Sequence, residues 1–387
     1  MDWDVIISGA GLGGLCAASG LSQAGCRVLV LERDETPFSR KQGYRININS
    51  VGNTALRECL PPAHYALYQN VSHNQLDPSV DIFSPDLKQI LHRTADVPEG
   101  GPPPAAIDRS MLRAILLDAV PNVRFSAPVV DTIQQSSEVE IEIGDGTKLT
   151  CRLLIAADGA SSQLRRKLLP GHDPQPLGTI AIYGKTLLDT SALTWLPTGV
   201  LQQRFVGVTD GGGTTLALGA WHPRRNPSAA AAAFVASLRL PDIKPYVMWV
   251  LMVSSEAAPH PDSSADELHG FALQAIQHWA PAATQFVRDA DVEATFRITL
   301  RAVPSVPDWP TGRITFLGDA VHAMSPAGGE GANTAMADAA SLVAAFRTQG
   351  SDGIALYEDQ MRKRARAALN RSAAYSQPAR TEGTSHV

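Results

Sequence analysis

Six residues, Gly9-Ala10-Gly11-Leu12-Gly13-Gly14, constrain this chain more than any others. They follow a short apolar run, Asp4 to Ser8, and open a small-residue segment, Leu15 to Ala24, that closes at Gly25. A second apolar run, Arg27 to Leu31, then stops at Glu32. Apolar runs of that length bounded by glycine read as buried strands, and the segment between them reads as a helix. The unit is a βαβ, which begins a parallel sheet. Gly9 permits the tight bend, Gly11 lets a pyrophosphate reach the backbone, and Gly14 lets the helix pack on the sheet. The helix start adds free N–H groups and a positive dipole end. At the end of the second strand Glu32, followed by Arg33, is placed to accept both ribose hydroxyls of an adenosine. The spacing predicts a dinucleotide site built from Gly9, Gly11, Leu12, Gly14, Glu32 and Arg33, and the acid disfavours a 2′-phosphate there.

Two further strand ends carry unusual turns. The hairpin-like stretch VEIEIGDGTKLTCRLLIAAD ends at Asp158, followed by Gly159, Ser162, Gln163 and Arg165. Asp145-Gly146, inside the same stretch, is an ordinary turn; Ser162 and Arg165 at helical spacing set Asp158 apart. The run RITFL leads into GDAVHAMSPAGGEGANTAMADA, residues Gly318 to Ala339, with a helix opening near Asn333. A carboxylate at Asp319 inside an α/β domain needs a hydrogen-bonding partner. Pro326, Gly328, Gly329 and Gly331 leave bare backbone against which a flat ring can lie, and a helix N-terminus favours an anionic ring edge.

The rest of the chain reads as an interruption of this pattern. Pro61 to Pro104 is irregular, and a helix returns at Ser110 to Val120 with Asp108 or Ser110 as its N-cap. From Leu177 to Glu256 the runs TIAIYGKTLL, VLQQRFVGVT, TLALGAWH and YVMWVLMVSS predict an antiparallel sheet with an Ala-rich helix around Ala229 to Leu238. The fold class predicted is α/β: a Rossmann-like nucleotide-binding domain over 1–70, 105–175 and 290–387, with an inserted antiparallel β-sheet domain over 71–104 and 176–289 that binds substrate. Among 387 residues the formal net charge is -5, so nothing marks a nucleic-acid or acidic membrane surface. No apolar run reaches the roughly 18 residues of a membrane span, the N-terminal stretch lacks the pattern of a signal peptide, and the four cysteines show no paired spacing. A soluble, cytoplasmic protein without a metal site is the expectation.

Taken together and in order, the three glycine-rich motifs resemble those of the FAD-dependent class A flavoprotein monooxygenases, the p-hydroxybenzoate hydroxylase-like flavoproteins. The resemblance runs from Asp4 to about Ala373. It implies that the first motif holds the ADP part of FAD, that Asp158, Gly159, Ser162 and Arg165 touch FAD and pyridine nucleotide, and that Asp319 meets the ribityl or pyrophosphate portion. It places Pro326, Gly329, Gly331, Ala332 and Asn333 beside the flavin ring and Arg109, at the start of a helix, against FAD; Arg113, one turn on, reads as a solvated residue. The implied reaction takes hydride from NAD(P)H, as a transient co-substrate, and passes oxygen from O2 through a flavin C4a-hydroperoxide to an electron-rich, largely hydrophobic and aromatic small molecule, by hydroxylation or epoxidation. Such chemistry belongs to secondary metabolism or aromatic catabolism.

Tyr183, Trp221, His222, Met248 and Trp249 are candidates to line the substrate pocket, with His222 as a base for a phenol. Arg45 and Asn47, two residues apart on a strand, face one side; Arg45, Tyr183 and His222 form the catalytic set. A monomer or homodimer without nucleic-acid or membrane partners is expected. The competing reading is other flavin chemistry on the same scaffold: an oxidase, an oxidative cyclase, a halogenase or an isoprenoid reductase. A nucleotide-binding module without flavin chemistry explains Gly9 to Glu32 but leaves Asp158 and the Asp319 loop without a purpose.

Overall fold

The computed structural model describes residues 2–37, 39, 43–74, 77–94, 101–189, 192–195 and 197–376. β1 (Trp3–Ser8) runs into the glycine turn, α1 (Leu12–Gln23) follows, and Gly25, at φ 85°, ends it in the left-handed form that glycine adopts freely. β2 (Val28–Leu31) lies parallel to β1. Next come β3 (Arg45–Ile48), α2 (Ser50–Cys59), α3 (Pro62–Val71), β4 (His73–Asn74), β5 (Asp77–Phe83) and β6 (Gln89–Arg93). β7 (Ala105–Asp108) enters α4 (Arg109–Asp118), whose first turn is capped by Asp108 through the N–H groups of Ser110 at 2.8 Å and Met111 at 3.1 Å. β8 (Val123–Arg124), β9 (Val129–Gln134), β10 (Val139–Ile143), β11 (Lys148–Ala156) and α5 (Gln163–Leu168) complete this part of the chain.

The second part consists of β12 (Gln175–Leu187), α6 (Ala192–Trp195), α7 (Thr198–Gln202), β13 (Gln203–Thr209), β14 (Thr215–Trp221), α8 (Pro227–Phe234), β15 (Tyr246–Ser254), α9 (Ala265–Ala275), α10 (Pro281–Arg288) and β16 (Phe296–Ala302). The chain then returns through β17 (Ile314–Phe316), α11 (Asp319–His322), α12 (Glu330–Gln349) and α13 (Ile354–Ser376). One sheet has the order β8-β2-β1-β11-β10-β9, with β17 parallel to the last residues of β11. A second has the order β16-β12-β15-β14-β13-β5-β6, and a small third sheet, β3-β7-β4, lies between them in sequence. The architecture is the expected one, a nucleotide-binding sheet flanked by helices, parallel except where β10 and β9 add antiparallel to β11, together with a mostly antiparallel sheet.

Alternation divides the second sheet into two faces. Ala181, Trp221, Tyr246, Met248 and Val250 join the core shared with the first sheet. Ile182, Leu218, Trp249 and Leu251 pack instead against Leu268 and Ala272 of α9 and Phe286 of α10. Trp249, expected in the pocket, therefore belongs to the reverse face. Gly184 pairs with Trp249 across β12 and β15, and a Cβ on Gly184 would run into the Trp249 indole.

Three segments differ from the sequence reading. Pro61 to Pro104 is not irregular throughout: α3 starts with Pro62 at its first position, where the missing N–H removes no helix hydrogen bond, and β5 and β6 extend the second sheet. β16, grouped in the sequence reading with the nucleotide-binding part, pairs antiparallel with β12. α8 ends at Phe234, four residues short of the expected Leu238. None of the described helices is long and apolar enough to cross a membrane.

Gly184→Ala should lower stability by about 1–3 kcal/mol, the usual result of forcing atoms into a packed core. Equilibrium urea unfolding checks this, with flavin binding at saturating FAD as the control, because the collision lies on the face of the sheet turned away from the glycine turns.

Candidate functional site

The three glycine-rich turns meet at one edge of the first sheet. β1 and β11 are parallel neighbours, in register from Val5 opposite Leu153 to Ser8 opposite Ala156, so their loops emerge side by side. Gly9, at φ 113°, passes so close to β11 that a Cβ would strike the Ala157 carbonyl and lie 2.9 Å from Asp158 Cα. A Cβ on Gly13 would lie 2.6 Å from Leu317 Cδ2 and 3.0 Å from Ala335 Cβ, which brings the end of β17 and α12 to the same place. Gly11 faces open space, and no side chain caps α1. An uncapped helix start with bare backbone before it is what a pyrophosphate requires.

Glu32 is buried beside this turn. Its Oε2 accepts the Ala10 N–H at 2.8 Å, and its Oε1 accepts the Asp34 N–H at 3.0 Å. Arg113 is not a solvated residue: its Nη2 lies 3.5 Å from Glu32 Oε2, its Nε donates to Ala10 O at 2.9 Å, and its Nη1 donates to Pro37 O. Arg33 is exposed, and the Leu12 side chain is buried, so only the Leu12 backbone is available to a ligand.

The Asp158 carboxylate is half satisfied. Oδ2 accepts the Gln163 N–H at 3.0 Å, whereas Oδ1 is buried with no hydrogen-bond partner. Burial pushes its pKa up, against the pull of the Ser162 hydroxyl and nearby backbone N–H groups. Ser162 caps α5 by accepting the Arg165 N–H at 2.9 Å. Arg165 is fully buried and donates to Ala320 O at 2.9 Å, Ala160 O at 2.8 Å and Asp173 at 2.7 Å. These two residues tie the second turn to the third.

In the third turn Gly318, at φ 63°, leads into α11, whose first residue, Asp319, is exposed. No hydrogen bond joins the Asp319 side chain to any described residue. A Cβ on Gly331 would lie 3.7 Å from Asp319 Oδ1, so the carboxylate hangs over the first turn of α12, which also lacks a side-chain cap. Pro326 is exposed, and Gly329, at φ 65°, makes the turn into α12. Ala332 is half-buried in that turn, but Asn333 is buried and its amide is occupied: it accepts the Asn49 N–H at 3.0 Å and donates to Asn47 O at 2.9 Å and Gly329 O at 2.8 Å. Below the loop, His322 Nε2 lies 2.6 Å from Asp338 Oδ2, and Arg364 Nε donates to Asp338 Oδ1 at 2.8 Å. Burial alone would lower the His322 pKa; the Asp338 carboxylate, joined by the Asp319 charge and a backbone hydrogen bond, outweighs it and the net shift is upward.

The third sheet joins this edge to the front of the second. Arg45 is buried and donates from Nε to Ala220 O at 2.6 Å, in the gap left by Gly219, where a Cβ would lie 2.6 Å from Arg45 Nη1. Tyr246 donates to Asp108 Oδ2 at 2.8 Å, and the Arg109 N–H donates to Tyr44 O at 2.6 Å. Tyr183 stacks on Phe296 with centroids 5.3 Å apart, and its hydroxyl has no partner among the described residues. Burial raises the Tyr183 pKa while the Arg109 charge opposes the rise. Arg45, Arg109 and Tyr183 thus gather at the junction of the sheets. The His222 side chain is exposed beyond the end of β14, and among the described residues only its backbone is bonded, to His73. Arg113, Tyr44, Asp338 and Arg364 were not singled out as site residues from the sequence; only the helical spacing of Arg109 and Arg113 offered a hint of the first.

The FAD binding domain family matches residues 103–372, and an NAD(P)-binding Rossmann-like domain matches residues 7–57. A dual O-methyltransferase/FAD-dependent monooxygenase of Cercospora beticola is 29% identical over 406 residues, covering 95% of this chain and 45% of its own length. The chain thus spans less than half of that relative. An FAD-dependent monooxygenase of Emericella nidulans is 28% identical, with 90% of this chain and 89% of that protein covered. Among solved structures, a proposed FAD-containing monooxygenase from Photorhabdus luminescens superposes with a TM-score of 0.83 at 25% identity, over 98% of this chain and 100% of its own.

Asp158→Asn should stabilise the FAD-free protein at neutral pH. A raised folded-state pKa means that the ionised carboxylate is disfavoured by folding, so the penalty is present at pH 7 and vanishes at low pH, where folded and unfolded chains are both protonated. The gain in urea midpoint over the native sequence should shrink as pH falls through the raised pKa toward the ordinary aspartate range. A gain independent of pH would remove the buried charge as its cause.

Proposed function

Because the chain belongs to the FAD binding domain family, we propose that it is a flavin-dependent monooxygenase that uses NAD(P)H and O2 to oxygenate an electron-rich, largely hydrophobic aromatic small molecule. The observation that carries the reading is the convergence of three glycine-rich turns on two uncapped helix starts, with Asp158 Oδ1 buried unpaired and the Asp319 side chain hydrogen-bonded to no described residue. These residues fit FAD. The start of α1 and Gly11 would hold its pyrophosphate, Glu32 the adenosine ribose and Asp319 the ribityl chain. The first turn of α12 would face the flavin ring. When bound, FAD supplies hydride acceptance and oxygen activation; the protein supplies position, dryness and electrostatics.

The substrate would lie between that ring and the front of the second sheet. Met248 and the stacked Tyr183–Phe296 pair offer apolar and aromatic surface there. With its pKa raised by burial, the Tyr183 hydroxyl is a hydrogen-bond donor rather than a base. The buried guanidinium of Arg45 adds positive potential that favours phenolate-like charge on a ring. The exposed side chain of His222 takes no such position, so a phenolic proton would leave by way of solvent. A hydroxyl installed on an aromatic ring is a natural acceptor for methyl transfer, which accords with the pairing of the two activities in the Cercospora relative's name.

Purified protein should show flavin absorption bands that NADPH or NADH bleaches anaerobically, faster in the presence of one member of a panel of phenols and indoles. Flavin that neither nucleotide reduces would favour an oxidase or cyclase instead. Asp319→Ala should purify with well below one FAD per chain. Glu32→Ala should weaken FAD by roughly ten- to a hundredfold, the loss of a charge-assisted hydrogen bond worth about 1.5–3 kcal/mol. A fluorescence titration of the apoprotein measures both, and wild-type affinity in either variant removes that residue from its role.

A further inference from the structure

Beside the proposed FAD site, and separated from it by Arg113, lies a cleft of about 270 Å³ between α4 and the turn that follows α8. It is lined by the guanidinium-bearing residues Arg109, Arg113 and Arg239, with Leu117 and Leu238 as apolar walls. One carboxylate, Asp118, reaches its rim, and His64 Nε2 holds that group at 2.8 Å. The cleft is smaller than the roughly 300–1,000 Å³ of a site that encloses a whole ligand, so it suits one end of a longer molecule. Gly43 also lines it, and a Cβ there would lie 3.8 Å from the Tyr183 ring, so the cleft borders the junction of the sheets.

We propose that this cleft docks the phosphate-bearing end of the reduced pyridine nucleotide. The inference rests on the monooxygenase reading and names where its second nucleotide binds. The two sides of Arg113 differ in charge: on one side Glu32 presents a buried carboxylate, which suits ribose hydroxyls and repels phosphate. On the other side, among the described lining residues, Arg109 and Arg239 lie with a single carboxylate, Asp118, while Arg113 spends its three nitrogens on Glu32, Ala10 O and Pro37 O; guanidinium groups bind phosphate oxygens through charge-assisted, often bidentate hydrogen bonds. Arg239 is the adaptable member. It is exposed, and its bonds to described residues run from Nη1 alone, to Ala236 O at 2.9 Å and Leu238 O at 3.5 Å. The apolar walls accommodate the ribose and base, and the nicotinamide end extends past Gly43 toward Tyr183. Docking in an open cleft outside the flavin cradle accords with a nucleotide that enters and leaves in each cycle.

The test compares steady-state kinetics of the FAD-loaded wild type with R239Q and A114F; Ala114 lines the cleft, and phenylalanine there fills it without changing charge. R239Q should raise the KM for NADPH about tenfold, the effect of one lost charge-assisted hydrogen bond, with kcat, FAD content and flavin spectrum unchanged. The KM for NADH should rise less if the 2′-phosphate is the group held, and equally if the pyrophosphate is. A114F should raise the KM for both nucleotides. An R239Q holoenzyme with the wild-type KM for NADPH overturns the proposal whatever A114F does, and loss of FAD from R239Q does the same by placing Arg239 in the flavin site. A wild-type flavin that neither NADPH nor NADH reduces is a different failure, that of the monooxygenase reading itself.

Discussion

The structure turns on the approach of Gly9 to the Ala157–Asp158 backbone. β1 and β11 end level with one another, Ser8 opposite Ala156, and the room between their loops exists only because Gly9 has no side chain. Parallel strands deliver their following loops to one sheet edge, which is why open α/β sheets bind ligands beyond the carboxyl ends of their strands. β17 joins the same edge through its parallel pairing with β11, so a turn more than three hundred residues after Gly9 arrives beside it. The helices then lock: Gly13 and Gly20 of α1 leave room for Ala335 and Val343 of α12.

A second junction sets the position of the antiparallel sheet. Asp108 does two jobs, capping α4 with one oxygen and receiving the Tyr246 hydroxyl with the other. Burial pushes its pKa up, and those three hydrogen bonds oppose the rise. A buried carboxylate held this way is more useful for orientation than for stability, since its desolvation offsets much of what its bonds contribute. It fixes the start of α4, and hence Arg109 and Arg113, relative to the front face carrying Tyr183 and Met248. Arg45 fastens the neighbouring strand to Ala220 across the space left by Gly219.

The glycine turns were legible because their signal is local: a strand, a bend that needs no Cβ and a helix start occupy a few consecutive residues. Asp108 as a helix cap was legible for the same reason. Arg113 was not, because its meaning depends on Glu32, 81 positions away, and on a carbonyl still farther off. Arg165 and Asn333 stood in recognisable motifs, yet their side chains are occupied by the protein's own backbone, a distinction that needs coordinates. YVMWVLMV is apolar at every position, so it announces a strand but hides its parity; both faces are covered, and only the structure separates Met248 from Trp249. His222 is exposed one residue beyond the buried Trp221 that ends β14.

The three carboxylates of the proposed cradle are satisfied to different degrees, and the order is informative. Glu32 is buried, bonded to two backbone N–H groups and flanked by Arg113. Asp158 has one oxygen bonded and one buried without a partner. Asp319 is exposed, with its side chain bonded to no described residue. In the proposed orientation of FAD, Glu32 stands at the adenosine end and Asp319 nearer the flavin ring. At the proposed adenosine end the protein already holds the Glu32 carboxylate in place, and such prior ordering lowers the entropy lost on binding. Toward the ring it leaves Asp158 Oδ1 and the Asp319 carboxylate unbonded by described residues, groups that a bound FAD would meet.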